Sequence, residues 1–424
     1  MTAQDTFVIV GASLAGAKAA EALRTGGFVG RVVLLGEEAE RPYERPPLSK
    51  DYLQGKSEKE DTYVHPDGWY AAHDIELRVD DRVTAIDRVT HQVIAQDGEP
   101  VGYDKLLMAT GSSPRRLHVP GSELNGVLYL RDLQDCETIK AAFTTAKRVA
   151  IVGAGWIGLE TAAAARAADV DVTMLEMGKL PLLGVLGPEM AGIYAALHAE
   201  HGVELRTGVE VAEIIGAEGR ATGVRLTDGS LIDADVVVVG IGILPNTELA
   251  EMADLTIDNG IRVDECLATS DPDVFAAGDV ANAYYPHLGT HLRLEHWSAA
   301  LNQGPVAAAN MMGQNRPYDR VPYFFSDQYD MGMEYSGYVE KGHYDEVLFR
   351  GDVEKGEFIA FWMGEGRVLA GMNVNVWDVS DSIAALVRSK AQVDPAKLAD
   401  PTVSLEAVSL EDVQGGTVAG DARS

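Results

Sequence analysis

Hydrophobic and polar positions along this chain fall into two alternating registers. Short, almost wholly apolar runs such as FVIV at 7–10, VVLL at 32–35, VAIV at 149–152 and VVVV at 236–239 lie between longer stretches with helical spacing. Apolar runs of this length, bounded by glycine, predict strands buried on both faces of a parallel sheet. Alanine-rich stretches after residues 13 and 155 predict helices returning over such sheets. Helices are also predicted from Asp132 to about Phe143, over 182–201, and from Trp297 within 294–313. From 75 to 109 the chain predicts short strands, IELRVDDRVTAID, a hairpin near Asp97 and Gly98, then YDKLLMATG. A second hairpin is expected around Asp228 and Gly229. From 335 to 376 the pattern alternates in strand fashion, and a helix follows from Asp378 to Lys390.

The organising stretch is RVAIVGAGWIGLETAAAARAADVDVTMLE, residues 148–176. Gly153, Gly155 and Gly158 fill a GxGxxG pattern between a strand and a helix, with Trp156 and Ile157 inside the turn. The first glycine permits the turn, the second lets backbone approach a diphosphate, and the third lets helix and strand pack closely. Glu176 closes the second strand, where a carboxylate accepts hydrogen bonds from both ribose hydroxyls of NADH and repels the 2′-phosphate of NADPH. Lys179 lies near enough to blur that preference.

Residues 7–37 repeat the unit, with Gly11, Ala15, Gly16 and terminal Glu37; Ser13 stands where the second glycine belongs. Two dinucleotide folds imply two dinucleotides, and the natural pair is a nicotinamide donor and a flavin acceptor. The loop RPYERPPLSK at 41–50 holds Arg45 and Lys50 on a proline-stiffened backbone, suited to a flavin or its phosphates. Val83 lies where backbone can meet the adenine, and Ala109, Thr110 and Gly111 end a buried strand. In TSDPDVFAAGD, Gly278 and Asp279 emerge at the carboxyl end of a sheet, where an aspartate can bind the ribityl hydroxyls or cap the next helix. Because this segment follows both nucleotide folds, the flavin domain is expected to be discontinuous.

Composition narrows the partners. The chain has 424 residues, 65 acidic against 35 basic, for a formal net charge of −30. Such a surface repels nucleic acid and anionic lipid. No apolar run is long enough to span a bilayer, and Lys18 and Glu21 break the amino-terminal one, so a cytoplasmic location is expected. The two cysteines, Cys136 and Cys266, form neither CxxC nor CxxxxC, so no local redox disulfide is expected beside the flavin. Pro286 and Gly289 interrupt the His287, His291 and His296 series, and no metal site is expected.

PYERPPLSK, ATG, GAGWIGLE, FAAGD and FFSDQ together resemble the FAD-dependent ferredoxin reductases that serve cytochrome P450 and ring-hydroxylating dioxygenase systems, over roughly residues 5 to 400. The resemblance implies an α/β fold with two Rossmann-like dinucleotide-binding domains of glutathione-reductase type and a carboxyl-terminal α+β domain. The expected divisions are 1–114 with 245–325 for FAD, 115–244 for NAD, 326–405 for the last domain, and a polar tail over 406–424. It further implies that Arg131 touches FAD, and that Glu160 faces the nicotinamide; a glutamate in the first turn could instead complement the helix dipole. Lys50 and Glu160 are implied to pair near the flavin. The helix entered after Glu295, His296 and Trp297 is implied to point its amino end at the flavin, although Trp297 could equally be a core aromatic. Gly242, in GIGILPN, is grouped with the NAD residues, and Phe325 stands where similar reductases usually have tryptophan beside the nicotinamide.

The implied reaction takes hydride from NADH onto FAD and passes single electrons to an iron–sulfur ferredoxin, of 2Fe-2S type. Two alternatives stand beside it: a flavin NADH oxidase or disulfide-type reductase, which the missing redox cysteine disfavours, and an NAD-responsive flavoprotein similar to apoptosis-inducing factor. A docking patch for an acidic ferredoxin is either Arg293, Arg316 and Arg320 or absent, these being scattered surface arginines. Monomer and homodimer are both open.

Overall fold

The computed structural model describes residue 2 and residues 4–96 and 98–410, and divides the chain into two compact units, Met1–Tyr329 and the residues from Asp330 onward. In the first unit, two parallel sheets of five strands follow from the buried apolar runs. One has the order Val274–Ala276, Lys105–Met108, Thr6–Val10, Arg31–Leu35, Ile75–Arg78. The other has the order Val203–Thr207, Asp171–Glu176, Arg148–Val152, Val236–Val239, Val127–Tyr129. Each puts its glycine turn directly after a central strand, at the carboxyl end where doubly wound sheets take ligands.

Strand Val274–Ala276 joins the first sheet only after the chain has completed the second. The chain leaves and returns side by side: Ser112–Pro114 pairs antiparallel with Ile243–Pro245. Antiparallel Val211–Ala217, Arg220–Leu226 and Leu231–Asp233 turn near Asp228, as the sequence predicts. Ile75–Arg78 differs from expectation, lying in the parallel sheet rather than with the short strands Val83–Asp87, Gln92–Ala95 and Val101–Gly102. Of the hairpin expected near Asp97 and Gly98, Asp97 lies outside the described residues. Helix Leu183–Glu200 breaks at Gly187, whose φ of 79° and ψ of 172° precede Pro188; proline there opens a fresh helical turn.

The second unit contains antiparallel strands in the order Met331–Gly337, Arg367–Val374, Glu357–Gly364, Glu346–Asp352. Helix Ser380–Ser389 packs on the first two; it starts later than expected because Asp378 adopts φ 62°. Two boundaries also move. Residues 326–329 belong to the first unit, and the tail expected from 406 packs as far as 410, because Leu405 and Val408 are buried. Residues 411–424 lie outside the described residues.

Candidate active site

The two glycine turns are built alike. Gly11 and Gly153 have φ of 118° and 101°, and a β-carbon on them would come within 2.1 Å of the Ala109 carbonyl and 2.4 Å of the Gly240 carbonyl respectively. Gly16 and Gly158 press on the carbonyls of Gly11 and Gly153, where a β-carbon would sit 2.1 Å away in each case. Gly155 is different: a β-carbon there would meet nothing within 4 Å. That open approach to helix Trp156–Ala167 suits a diphosphate rather than protein packing. Ser13, at the matching place in the first turn, caps helix Leu14–Thr25.

Around these turns the expected ligand groups fall in three places. Glu176 accepts from the amides of Ala154, at 2.8 Å, and Gly178, at 2.6 Å, so its carboxylate is fixed over the second turn, with Lys179 exposed beyond it. Gly242, with φ 101°, lies against the Arg115 side chain. Glu37, Val83 and Thr110 line a separate cleft with Gly11, and Arg82 stands 3.5 Å from Glu37.

The remaining expected residues converge on a cavity of about 220 Å³. From the first nucleotide unit it is lined by Ser13, Ala15, Arg45, Lys50, Ala109, Gly111, Gly278 and Asp279, with Arg131 reaching in from just after strand Val127–Tyr129 of the second. From the second come Trp156, Ile157 and Glu160, and Glu295, His296, Trp297, Phe324 and Phe325 complete it. Gly278, at φ 80°, brings its turn against Ala15.

Its floor carries the central charge pair. Lys50 Nζ lies 2.9 Å from Glu160 Oε1, their side chains 12% and 4% exposed. Glu160 stands in the second turn of its helix, not the first, so the helix-dipole alternative does not apply. Ser326 donates to Oε1 at 2.7 Å, and the Ser49 hydroxyl donates to Oε2. Ser49 ends the short helix Pro46–Ser49, so the proline-stiffened loop positions two partners of one carboxylate. The Phe325 ring sits 5.4 Å from Lys50 Nζ and edge-to-face with Trp297.

At the other end two cations lie side by side. Arg45 pairs with Glu38 at 2.9 Å and donates to the Arg131 carbonyl; Arg131 pairs with Asp279 at 3.0 Å. Asp279 also accepts from Ser112 at 2.8 Å. Burial, and then Arg45, hold Arg131 below the ordinary arginine value, and its Nε is buried without a protein partner among the described residues. Two adjoining guanidiniums with spare donor capacity fit the diphosphate of FAD. His296 precedes the fifteen-residue helix Trp297–Met311, and burial pushes its pKa down to about 4, so it is neutral. Trp297 donates to Glu44 at 3.1 Å.

Arg293 does not join a surface patch. Its side chain is 9% exposed and ion-paired with Glu295, whereas Arg316 and Arg320 are exposed. Neither cysteine lines the cavity; Cys136 is buried, its thiol pushed up to about 12 by burial. Among the described residues no group of three or more His, Cys, Asp or Glu is placed to hold a metal, and no helix is long and apolar enough to cross a membrane. Sequence reasoning missed Ser49, Ser112, Ser326, Gln328 and His198. The FFSDQ motif contains two of these, but serine and glutamine alone carry no chemical signal.

The family model for pyridine nucleotide-disulphide oxidoreductases matches residues 5–304, and that for the reductase C-terminal domain matches 323–409. The ferredoxin–NAD(+) reductase component of the anthranilate 1,2-dioxygenase system of Burkholderia cepacia is 42% identical over 404 residues, covering 95% of this chain and 98% of that protein. Putidaredoxin reductase of Pseudomonas putida is 38% identical over 413 residues, covering 96% and 97%. Among solved structures, the covalent putidaredoxin reductase–putidaredoxin complex matches with a TM-score of 0.92 and 37% identity, covering 96% of this chain and 98% of that one. The chain belongs to the pyridine nucleotide-disulphide oxidoreductase family with the reductase C-terminal domain, among its ferredoxin–NAD(+) reductases.

Proposed function

We propose that this protein is an FAD-dependent oxidoreductase that takes hydride from NADH and passes electrons singly to an iron–sulfur ferredoxin, of 2Fe-2S type, which supplies a cytochrome P450 or a ring-hydroxylating dioxygenase. The observation that carries this reading is the cavity shared by both nucleotide units, which holds a buried Lys50–Glu160 pair and no thiol. Bound FAD supplies the conversion of one two-electron donor into single-electron transfers. In this assignment residues 1–114 with 245–325 bind FAD and 115–244 bind NADH. Arg45, Arg131 and Asp279 hold the flavin dinucleotide, and Glu176 orients the NADH ribose. Lys50 and Glu160 place fixed charge beside the flavin ring and the nicotinamide, so that the reacting atoms meet without reorganising the site. The relatives named above serve a dioxygenase and pair with putidaredoxin. The reading includes a cytoplasmic location, where NADH is available.

The test is NADH-driven cytochrome c reduction by the holoprotein with and without added 2Fe-2S ferredoxin. Strong dependence on ferredoxin is expected. Equal rates without it, or NADH consumption driven by a disulfide substrate instead, would overturn the assignment.

A further inference from the structure

Behind Glu160 lies a buried run of side chains that the reaction as described does not use. Ser326 Oγ is 2.7 Å from Glu160 Oε1, Gln328 Nε2 is 3.1 Å from Ser326 Oγ, and His198 Nε2 is 2.9 Å from Gln328 Oε1. The Tyr329 hydroxyl is 3.3 Å from His198 Nδ1. Glu160, Ser326, Gln328 and His198 are 3%, 2%, 2% and 0% exposed.

The direction of each bond is dictated by chemistry. An ionised carboxylate only accepts, so Ser326 donates to Glu160. Its oxygen then accepts from the Gln328 amide nitrogen, which turns the amide oxygen toward His198. That oxygen requires a proton on His198 Nε2, leaving Nδ1 to accept from Tyr329. Every hydrogen in the series therefore points toward Glu160. The pattern needs a neutral imidazole, and burial, which pushes the His198 pKa down to about 4, keeps it so.

We infer that His198, Gln328 and Ser326 are positioning residues for hydride transfer: a directed donor chain that holds the ionised Glu160 in one orientation opposite Lys50 and so sets the potential of the flavin beside it. The inference rests on the reading of the protein as an NADH-dependent flavin reductase. A hydride brings the ring two electrons and one proton, and hence one negative charge. An unscreened Glu160 opposes that charge, and donors aligned on its carboxylate offset the opposition. Were the chain only a way of satisfying buried polar groups, removing it would alter stability and leave the potential alone.

The holoprotein provides the test through the flavin midpoint potential, measured by dithionite titration against a reference dye without NADH. Ser326→Ala is expected to shift the reduction equilibrium about tenfold against reduced flavin, which is about 30 mV for a two-electron couple. Ser326→Thr, which restores the hydroxyl, should return it. The double substitution His198→Leu with Gln328→Leu removes both partners together, leaving neither orphaned, and should shift the equilibrium about threefold in the same direction. Stopped-flow hydride transfer should slow in the same order. Wild-type potentials in Ser326→Ala and in the double variant, even with lowered melting temperatures, would overturn the inference, as would failure of Ser326→Thr to restore the potential. Because the titration contains no NADH, a wild-type flavin that NADH fails to reduce counts against the proposed function and leaves this test standing.

Discussion

Lys50 Nζ lies 2.9 Å from Glu160 Oε1, although the two residues come from different nucleotide-binding units and both side chains are largely buried. Breaking a buried pair from one side leaves a desolvated charge behind, at a cost of about 3–5 kcal/mol. Lys50→Met is accordingly expected to lower the melting temperature and the flavin potential and to slow hydride transfer. Adding Glu160→Gln should recover much of the stability and none of the transfer rate. Thermal denaturation combined with stopped-flow bleaching of the oxidised flavin band separates the two effects.

The second glycine turn separates ligand contact from packing. Gly155→Val adds bulk where a β-carbon meets nothing, so it should raise the NADH KM about tenfold or more with little change in melting temperature. Gly158→Val drives a side chain into the Gly153 carbonyl and should destabilise the fold by at least about 2 kcal/mol. Steady-state kinetics and urea unfolding on the pair check both halves.

Glu176 is fixed by the Ala154 and Gly178 amides, and in the proposed assignment this sets its charge at one place toward the NADH ribose. Glu176→Ser should narrow the preference for NADH over NADPH by about tenfold or more in kcat/KM, since it removes two acceptors and a repelling charge. An unchanged ratio would place the ribose elsewhere.

Two neutral histidines, His198 fully buried and His296 half-buried, make stability depend on acid. Burial pushes the pKa of both His198 and His296 down to about 4 from the ordinary value of 6.5. Between those values the unfolded chain binds more protons than the folded one. The histidine contribution to stability is therefore complete above pH 6.5 and is lost as pH falls toward 4. Urea unfolding from pH 7 to 4.5 should show this decline, and His296→Leu should flatten it by up to about one proton's slope.

Much of this molecule was legible in the sequence because its informative parts are local. A glycine turn between an apolar strand and an alanine-rich helix fixes a backbone shape within thirty or so residues, and both turns formed where GASLAG and GAGWIG stand. Ser49, Ser326, Gln328 and His198 were not legible in that way. Ser49 and Ser326 matter because they meet one carboxylate from distant parts of the chain, and Gln328 and His198 because they stand behind Ser326; no periodicity records either relation. Arg293 misled for a different reason: its partner Glu295 is only two residues away, but a cation beside a flavin-facing helix reads as surface until that ion pair is seen to hold it inside. The tail failed at Leu405 and Val408, two apolar residues among polar ones that suffice to pack residues 406–410.

The most direct measurement is a stoichiometry taken without oxygen. One equivalent of NADH is added to the FAD-loaded protein, followed by excess oxidised 2Fe-2S ferredoxin. The flavin should bleach on the first addition, recover its colour on the second, and leave two reduced ferredoxins for each NADH consumed. A flavin that NADH does not bleach, or a bleached flavin that ferredoxin does not reoxidise, would contradict a hydride-in, single-electron-out role for this site.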